Sequence, residues 1–143
     1  MICAFFGHKD CSQEIEQKLY ETIVNLILEH NVNKFYVGNN GKFDYMVIRN
    51  LRKLKELYPY IDYSVVLAYR PTPNNTRNIE WFESIYPEEF SNFPLRLAIS
   101  KRNCWLIENC DIVVTYVHHS LGNSYQFKEL AERKNKWVIN IEK

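Results

Sequence analysis

The sequence predicts a doubly wound α/β fold, in which a mostly parallel five-stranded sheet carries helices on both faces. Five short runs are apolar almost throughout, which is typical of strands in a parallel sheet covered on both sides. These runs span residues 2–6, 34–37, 63–68, 112–117 and 137–141. Strands that alternate with helical patterns indicate right-handed βαβ crossovers. A length of 143 residues suits a single domain over residues 1–143.

Three apolar stripes at helical spacing lie between these strands. They consist of Ile15, Leu19, Ile23, Leu26 and Ile27, then Val47, Leu51, Leu54 and Tyr58, and finally Phe127, Leu130 and Ala131. Asp10 or Ser12 can cap the first helix, because both side chains accept hydrogen bonds from the free N–H groups at a helix start. Pro59 ends the second helix. The pattern therefore predicts a helix after the first, second and fourth strands.

The stretch from residue 69 to residue 93 interrupts this alternation. It is rich in proline, asparagine and aromatic residues, and such a long excursion in a small domain is usually a functional loop or a disordered one. Trp81, Phe82, Ile85 and Tyr86 favour an ordered segment that lies over the sheet or against another subunit. Apolar surface of this kind predicts a homo-oligomer, either a dimer or a larger assembly.

Charge and hydropathy restrict the partners that we expect. The 18 Lys+Arg and 17 Asp+Glu leave a net charge of +1, so no overall basic field gathers nucleic acid. No stretch approaches the ~18 apolar residues of a membrane span, and the apolar run near the first residue is too short for a signal-peptide core. We therefore expect a cytoplasmic protein with no membrane partner, and nucleic acid is disfavoured as a ligand unless a local basic patch exists.

The cysteines and histidines do not form a recognisable metal motif. The four cysteines lack both C-x-x-C spacing and a histidine pattern suited to zinc, so they are interpreted as reduced thiols. The adjacent pair His118 and His119 is more typical of an exposed loop than of a metal site. No metal site and no cofactor is predicted.

The strand-to-helix loops hold the candidate site, because ligands of an open parallel sheet bind beyond the carboxyl ends of its strands. Three of four such loops contain glycine, and helix N-termini offer free N–H groups that can hold an anion. The candidate ligand-binding residues are Gly7, His8, Lys9, Gly38, Asn39, Gly41, Phe43, Asp44, Tyr69, Arg70, Arg102, Asn103, Ser120, Gly122, Asn123 and Ser124. The pattern indicates a general phosphate or nucleotide cradle, and it matches neither G-x-G-x-x-G nor G-x-x-x-x-G-K-[ST]. Short turns between strand and helix need glycine in any case, so the pattern is not specific.

One more helix is predicted after Pro94, a residue that suits the first helical position. Its apolar arc consists of Leu95, Ala98, Ile99, Trp105 and Leu106. Arg102 falls in the middle of this arc, and Asn103 falls near its edge. A guanidinium directed toward the core needs a partner. That partner is either a carboxylate such as Asp44 or Asp111, or the phosphate or carboxylate of a ligand.

Several candidates have an ordinary structural alternative. His8 could touch a ligand, cap a helix or pack on an aromatic ring. Phe43 and Tyr69 could stack on a base, although such side chains more often pack in a core. Asp44 is either an N-cap or an acceptor for ribose hydroxyls. The serines of the last loop are anion donors or helix caps rather than nucleophiles, because no triad and no G-x-S-x-G accompany them, and no catalytic residue is predicted.

Four segments together resemble the SLOG superfamily, the Rossmann-like group that includes the DprA and LOG proteins, and within it the YpsA/YoqJ-like branch. They are residues 3–8 (CAFFGH), 35–44 (FYVGNNGKFD), 98–111 (AISKRNCWLIENCD), and 111–116 together with Gly122 and the closing strand. The segments follow the family's order and span nearly the whole chain. The resemblance implies a Rossmann-like fold whose strand-end loops bind nucleotides or nucleotide-derived ligands such as relatives of ADP-ribose.

The resemblance also bears on activity. LOG enzymes cleave the N-glycosidic bond of nucleoside monophosphates and carry a Pro-Gly-Gly-x-Gly-Thr-x-x-Glu loop. The corresponding residues 119–126 (HSLGNSYQ) keep only Gly122, and Gln126 stands where the glutamate would be. The carboxylate that would stabilise an oxocarbenium-like centre is therefore missing from its place.

The favoured function is a non-enzymatic binding protein for a nucleotide-derived small molecule, either ADP-ribose-like or a cyclic nucleotide signal. Such a protein would act as a sensor or as a sequestering sponge, in anti-phage signalling or another phage–host conflict. The alternative is an N-glycosidase or phosphohydrolase acting on a nucleotide or ADP-ribose derivative. Asp44, His8 or Asp111 would then supply the acid/base chemistry, and Asp111 is the poorest choice because it starts a strand at the edge away from the ligand.

Overall fold

The computed structural model of the chain describes residues 1–120 and 122–142 and contains one parallel sheet of six strands. The strands are β1 (Ile2–Gly7), β2 (Lys34–Val37), β3 (Asp62–Val66), β4 (Ser84–Ile85), β5 (Ile112–Tyr116) and β6 (Trp137–Asn140). Their order across the sheet is β4-β3-β2-β1-β5-β6, and every neighbouring pair is parallel. The predicted α/β fold is confirmed, with six strands in place of five. The additional β4 has only two residues, which is too short to produce a periodic pattern in the sequence.

Four α-helices cover the two faces of the sheet. They are α1 (Glu16–Glu29), α2 (Lys42–Leu57), α3 (Ala98–Glu108) and α4 (Asn123–Arg133). Successive residues of β1 enter opposite cores, because side chains alternate across a strand. Phe5 packs with the apolar stripes of α1 and α2, and Phe6 packs with those of α3 and α4. Both faces of the sheet are therefore buried, which explains the continuously apolar strands.

The direction of chain progression reverses beside β1. From β1 the chain adds β2, β3 and β4 on one side, and it then returns to place β5 on the other side of β1. Gly7 of β1 aligns with Tyr116 of β5 at the carboxyl ends of these strands. This reversal is the position where open α/β sheets open a crevice for ligands.

The excursion over residues 69–93 is fastened to the sheet by Glu83. Arg52 donates two hydrogen bonds to the Glu83 carboxylate, from Nε at 2.6 Å and from Nη2 at 2.7 Å, and the Tyr63 hydroxyl donates a third. Burial alone would raise the pKa of Glu83, but these hydrogen bonds outweigh it and hold the pKa at about 2. A buried, ionised carboxylate thus orders a segment that contains little regular secondary structure.

One of the two alternatives from the sequence placed Trp81 and Phe82 over the sheet. The structure does not place them there. Their exposed fractions are 84% and 68%, while Tyr86 packs against the buried core. The position of Glu83 explains the difference. Because its side chain turns inward to Arg52, the two residues that precede it in the same 3-10 turn face away from the sheet.

The start of α3 also differs from the prediction. Residues Leu95–Leu97 form a 3-10 turn after Pro94, and the α-helix begins only at Ala98. Leu95 is 76% exposed and does not belong to the apolar arc. Side chains in a 3-10 turn repeat every three residues, so the face that they present departs from the 3.6-residue period of the helix.

Three further predictions concern the cap of the first helix, the cysteines and membrane-spanning helices. Ser12 provides the predicted cap, since its Oγ accepts a hydrogen bond from the Glu14 N–H at 3.1 Å at the start of the turn that leads into α1. The four cysteines are free thiols. Across residues 1–120 and 122–142, no helix combines the length and the apolar character that crossing a membrane requires.

Candidate functional site

A two-part cleft lies at the carboxyl ends of β1, β2 and β5. We call its first part the inner cleft, which has a cavity volume of about 60 Å³. The inner cleft is lined by Phe5, Phe6, Gly7, Lys9, Gly38, Asn40, Asp44, Ile99, Arg102, Asn103, Leu106, Asn123 and Ser124. We call the second part the outer cleft, with a cavity volume of about 510 Å³ and lined by His8, Lys9, Asp10, His118, His119, Gly122, Asn123 and Ser124. Three residues line both parts, so the two parts are continuous, and the outer part falls within the size range of ligand sites, about 300–1,000 Å³.

Arg102 is the central charge of the inner cleft, and its side chain is only 2% exposed. Its Nε donates to Asn103 Oδ1 at 2.8 Å, and its Nη1 donates to the Val66 carbonyl at 3.0 Å. A guanidinium has five N–H groups, so donors remain for an anion in the cleft that Arg102 lines. Gly38 makes this position possible, because a Cβ there would lie 2.6 Å from Nη1.

Asp44, at the start of α2, brings a carboxyl group to the inner cleft that Arg102 also lines. It is 7% exposed, and its Oδ2 accepts a hydrogen bond from the Asn40 N–H at 2.9 Å. Burial raises the pKa of Asp44 to about 6, although the charge of Arg102 and the Asn40 N–H act in the opposite direction. Burial likewise lowers the pKa of Arg102, against the attraction of Asp44. Burial therefore opposes the charged form of both groups, and the charge of each partly offsets that cost for the other.

The internal ion pairs considered for Arg102 are not formed. Among the described residues, no nitrogen of Arg102 lies within 4.0 Å of a carboxylate oxygen. Asp111 accepts a hydrogen bond from the Ile2 N–H at 2.9 Å, which places it at the amino end of β1. The cleft lies at the opposite edge of the sheet, at the carboxyl ends of the strands. Asp111 is thereby removed from the candidate acid/base groups.

Two glycines set the backbone that brings helix N-termini to the cleft. Gly41 precedes α2 with φ 104°, and Gly122 precedes α4 with φ 90°, a region of φ,ψ space that is essentially restricted to glycine. At Gly41 a Cβ would also lie 2.7 Å from the Cα of Lys9. The Lys42 N–H donates to the Lys9 carbonyl at 2.8 Å, so the first and second loops are joined directly.

Three histidines meet in the outer cleft. The rings of His8 and His119 are stacked with centroids 3.8 Å apart, and the ring of His118 stands edge-on to His8 at 4.6 Å. The His118 N–H donates to His8 Nε2 at 3.1 Å. Burial, and then the proximity of His119 and His118, lower the pKa of His8 to about 4, so His8 is neutral at pH 7. His118 and His119 are exposed, as expected for a loop, but the fold places them against His8.

The structure brings ten of the sixteen predicted residues to the cleft. They are Gly7, His8, Lys9, Gly38, Asp44, Arg102, Asn103, Gly122, Asn123 and Ser124. Ser124 ties the last loop to the first, because its Oγ donates to the Gly7 carbonyl at 2.7 Å.

Phe43 requires a correction, because it cannot stack on a ligand from its position. It is fully buried, with its ring 6.2 Å from that of Tyr116, and it lies directly under Gly7. A Cβ on Gly7 would be 2.2 Å from the Phe43 Cγ. The aromatic ring therefore supports the backbone of the first loop instead of facing the cleft.

The remaining predicted residues lie away from the cleft lining. Asn39 donates from Nδ2 to the Asn75 carbonyl at 3.0 Å, and Gly41 borders a separate depression beside Tyr45. Arg70 lies over the ring of Tyr86 in another depression. Tyr69 and Ser120 are exposed and line neither part of the cleft.

Sequence reasoning missed Asn40 and the histidine cluster. Asn40 was visible between Gly38 and Gly41, where a loop residue next to a phosphate cradle is a reasonable candidate. The histidines could have been found from the strand register, since parallel β1 and β5 end side by side and place His8 next to residues 117 and 118. That register required knowing which strands are neighbours.

Fold and cleft together define a class, an α/β protein whose parallel sheet opens a cleft with a buried arginine at its carboxyl edge. A scan of protein-family models and a search of curated proteins gave no match. Among solved structures, the chain is similar to DNA processing protein A (DprA) from Streptococcus pneumoniae, with a TM-score of 0.70, 16% identity, and coverage of 95% of this chain and 48% of that one. It is also similar to DprA from Helicobacter pylori, with a TM-score of 0.68, 17% identity, and coverage of 96% and 63%.

These similarities establish the fold and agree with the SLOG resemblance at that level. The chain spans about half of the S. pneumoniae protein and 63% of the H. pylori protein. The H. pylori protein is described as having a single-stranded DNA binding mode. The expectation that nucleic acid is disfavoured as a partner is therefore wrong. Net charge describes the whole chain, whereas nucleic acid is bound by a local set of donors, which a net charge of +1 does not exclude.

Proposed function

We propose that the cleft binds a nucleotide-derived small molecule and that its phosphate is held by Arg102 in the inner cleft. The single observation that supports this most strongly is a guanidinium that is 2% exposed, lines a cleft and has no carboxylate of the described chain within ion-pair distance. An uncompensated buried charge is costly, and a planar fork of N–H donors matches a phosphate in geometry. The ligand would supply the missing negative charge.

Other groups of the cleft favour the same chemistry. Lys9 lines both parts, and α2 and α4 begin beside them with free N–H groups that favour an anion. The outer cleft is large enough for the ribose and base of a nucleotide. The exposed rings of His118 and His119 provide flat surfaces for a base.

The finer parts of this proposal rest on the resemblance to SLOG proteins. We propose a single SLOG-like domain of the YpsA/YoqJ-like branch, acting in the cytoplasm as a sensor or a sequestering sponge for an ADP-ribose-like or cyclic nucleotide signal. The ligand-binding roles of the cleft residues are part of this proposal. The departures from the LOG loop at residues 119–126 favour binding over turnover.

The test begins with the ligand that the protein carries. Purified chain is denatured, and any released nucleotide is identified by mass spectrometry. ADP-ribose, cyclic AMP and oligothymidylate are then titrated calorimetrically against the wild type, Arg102→Lys and the matched control Arg96→Lys, which alters an exposed arginine of the turn before α3. We expect Arg102→Lys to weaken small-molecule binding at least tenfold, because a hydrogen bond to a charged group contributes about 1.5–3 kcal/mol. Arg96→Lys should bind as the wild type does.

Single-stranded DNA is the competing class of ligand, because the similar H. pylori protein is described by its single-stranded DNA binding mode. Oligothymidylate that binds more tightly than either small molecule, with affinity that falls steeply with salt, would replace the small-molecule proposal by a nucleic-acid one. No binding of any of the three probes, together with no released nucleotide, would reject the cleft as a nucleotide site.

A second candidate function is hydrolysis of a nucleotide or ADP-ribose derivative, and Asp44 is the observation that favours it. Its carboxyl lines the inner cleft, and its pKa of about 6 suits a general acid near neutral pH. Long incubation of stoichiometric protein with the bound ligand separates the two functions. Steady turnover that Asp44→Asn abolishes would support the hydrolase, and intact ligand would support the binding protein.

A further inference from the structure

The nucleotide proposal uses the ring faces of His118 and His119 and assigns no role to the ring nitrogens of the outer cleft. His8, His118 and His119 each offer one ring nitrogen, and these three atoms all lie within 4.8 Å of one another. His8 is the fixed member, because it is 7% exposed and its backbone N–H donates to the Tyr116 carbonyl at 3.1 Å. The other two are exposed at the start of the following loop. A rigid ligand and two adjustable ones thus face the same space.

We propose that His8, His118 and His119 form a binding site for one divalent transition-metal ion in the outer cleft. Imidazole nitrogen is a common ligand of Zn²⁺, Co²⁺, Ni²⁺ and Cu²⁺ and a poor one for Mg²⁺ and Ca²⁺, which prefer oxygen. The site is therefore assigned to an ion of the zinc type. This inference does not depend on the nucleotide proposal, since the ion alone is the probe.

The number of protein ligands indicates how the ion would be used. Structural zinc sites have four protein ligands, whereas three histidines leave a fourth position for water or another oxygen. That position would open into the outer cleft, a space of about 510 Å³ that continues into the inner cleft through Lys9, Asn123 and Ser124. An ion there could accept an oxygen atom of a molecule that occupies the cleft.

Binding requires a small rearrangement that the exposed rings can make. Tetrahedral coordination at about 2.0–2.1 Å separates ligand nitrogens by about 3.4 Å, so the present spacing must close by at most roughly 1.4 Å. The stacked rings of His8 and His119, now 10° from parallel, must also tilt toward a common centre. Coordination through His8 Nε2 would exchange its hydrogen bond with the His118 N–H for the metal.

Zinc titration of the untagged chain tests the site. Isothermal calorimetry with ZnCl₂ compares the wild type with His118→Ala, His119→Ala and the control His30→Ala. His30 is the one histidine of the sequence outside the proposed site, and it lies at the end of α1 beside Trp137, away from the cleft. We expect the wild type and His30→Ala to bind one Zn²⁺ per chain, and each of the other two variants to bind at least tenfold more weakly.

Several results would overturn the proposal. They are no stoichiometric Zn²⁺ binding by the wild type, unchanged affinity in both cleft variants, or a thiolate-to-cobalt charge-transfer band after loading with Co²⁺, which would assign the ion to cysteine. Imidazole ¹⁵N spectra of the wild type give an answer that does not rely on the folding of a variant. Zn²⁺ should move the signals of three of the four histidines and leave His30 in place, and a shift of His30 alone or of none would reject the site.

Discussion

The inner and outer clefts lie side by side at one edge of the sheet, but they are built in opposite ways. In the inner cleft, Arg102 and Asp44 are buried and each is fixed by a hydrogen bond to a neighbouring backbone group. In the outer cleft, only His8 is buried, while His118 and His119 are exposed. The inner part holds its charged groups in fixed positions, and the exposed rings of the outer part can adjust to a molecule that enters. Preorganised groups supply affinity because they need no further ordering on binding.

The glycines express the same contrast. Gly38 and Gly41 are glycines because another atom occupies the place of a Cβ, whereas no described atom lies within 4 Å of the Cβ position of Gly122. Close packing thus constrains the inner loops, and backbone conformation alone constrains the outer one. Similar glycine-containing turns therefore need glycine for two separate physical reasons.

The largest change in the free energy of unfolding is expected for Gly41→Ala, with Gly122→Ala as its comparison. Each substitution forces an L-residue into a φ,ψ region that costs about 1–3 kcal/mol. At Gly41 the new Cβ would also meet the Cα of Lys9 at 2.7 Å, which overpacks a joined pair of loops. We expect the free energy of unfolding to fall by about 3–5 kcal/mol for Gly41→Ala and by about 1–3 kcal/mol for Gly122→Ala. Urea denaturation measures both, and equal losses would show that packing does not distinguish the two loops.

The pH dependence of stability should have opposite signs in the two parts. The pKa of Asp44 is raised from 3.8 to about 6, so its stabilising contribution is complete below 3.8 and is lost as pH rises toward 6. The pKa of His8 is lowered from 6.5 to about 4, so its contribution is complete above 6.5 and is lost as pH falls toward 4. In the wild type, the loss of stability with rising pH that Asp44 causes and the gain that His8 causes nearly cancel between about pH 4.5 and 6.

Two variants separate these contributions. In buffer with EDTA, Asp44→Asn should become more stable by about 2 kcal/mol from about pH 4.5 to pH 6, and His8→Gln should become less stable by about the same amount. The titration of Glu83 falls below this window, because its pKa is lowered from 4.5 to about 2. Chemical denaturation at a series of pH values provides the slopes, and parallel curves for the two variants would contradict the assignment.

Gly38→Ala tests the preorganisation of the inner cleft. The new Cβ would lie 2.6 Å from Arg102 Nη1, so the guanidinium must move. We expect about tenfold weaker binding of the phosphate-bearing ligand, or about 1.4 kcal/mol. In combination with Arg102→Lys the loss should be less than additive, because both changes act on one contact. Additive losses in calorimetry would mean that Gly38 acts separately from Arg102.

The smallest effect is expected where the two parts are joined. Ser124→Ala removes the 2.7 Å hydrogen bond to the Gly7 carbonyl and should lower the free energy of unfolding by about 1 kcal/mol. Ser100→Ala, at an exposed position in α3, is the matched control and should change stability by less than about 0.5 kcal/mol. Indistinguishable unfolding curves for the two variants would show that the last loop is not held by this bond.

The fold could be predicted well because its signals are local. Continuously apolar strands and helical stripes reflect burial on both faces of the sheet, and each can be recognised within a short window. The prediction failed where the window is too short or the partner is distant. β4 has two residues, and Trp81 and Phe82 are turned outward by an ion pair between Glu83 and Arg52, which lie 31 positions apart.

Three features could be read from local patterns: the α/β fold, the edge of the sheet that carries the loops, and the inward direction of Arg102. Each follows from the period of a strand or a helix, which depends on neighbouring residues alone. Three others became visible only in the folded chain: Asp44 does not pair with Arg102, Phe43 supports Gly7 from below, and three histidines meet. Those arrangements depend on which strands become neighbours and on distances across the core, because packing brings together residues that no sequence interval relates.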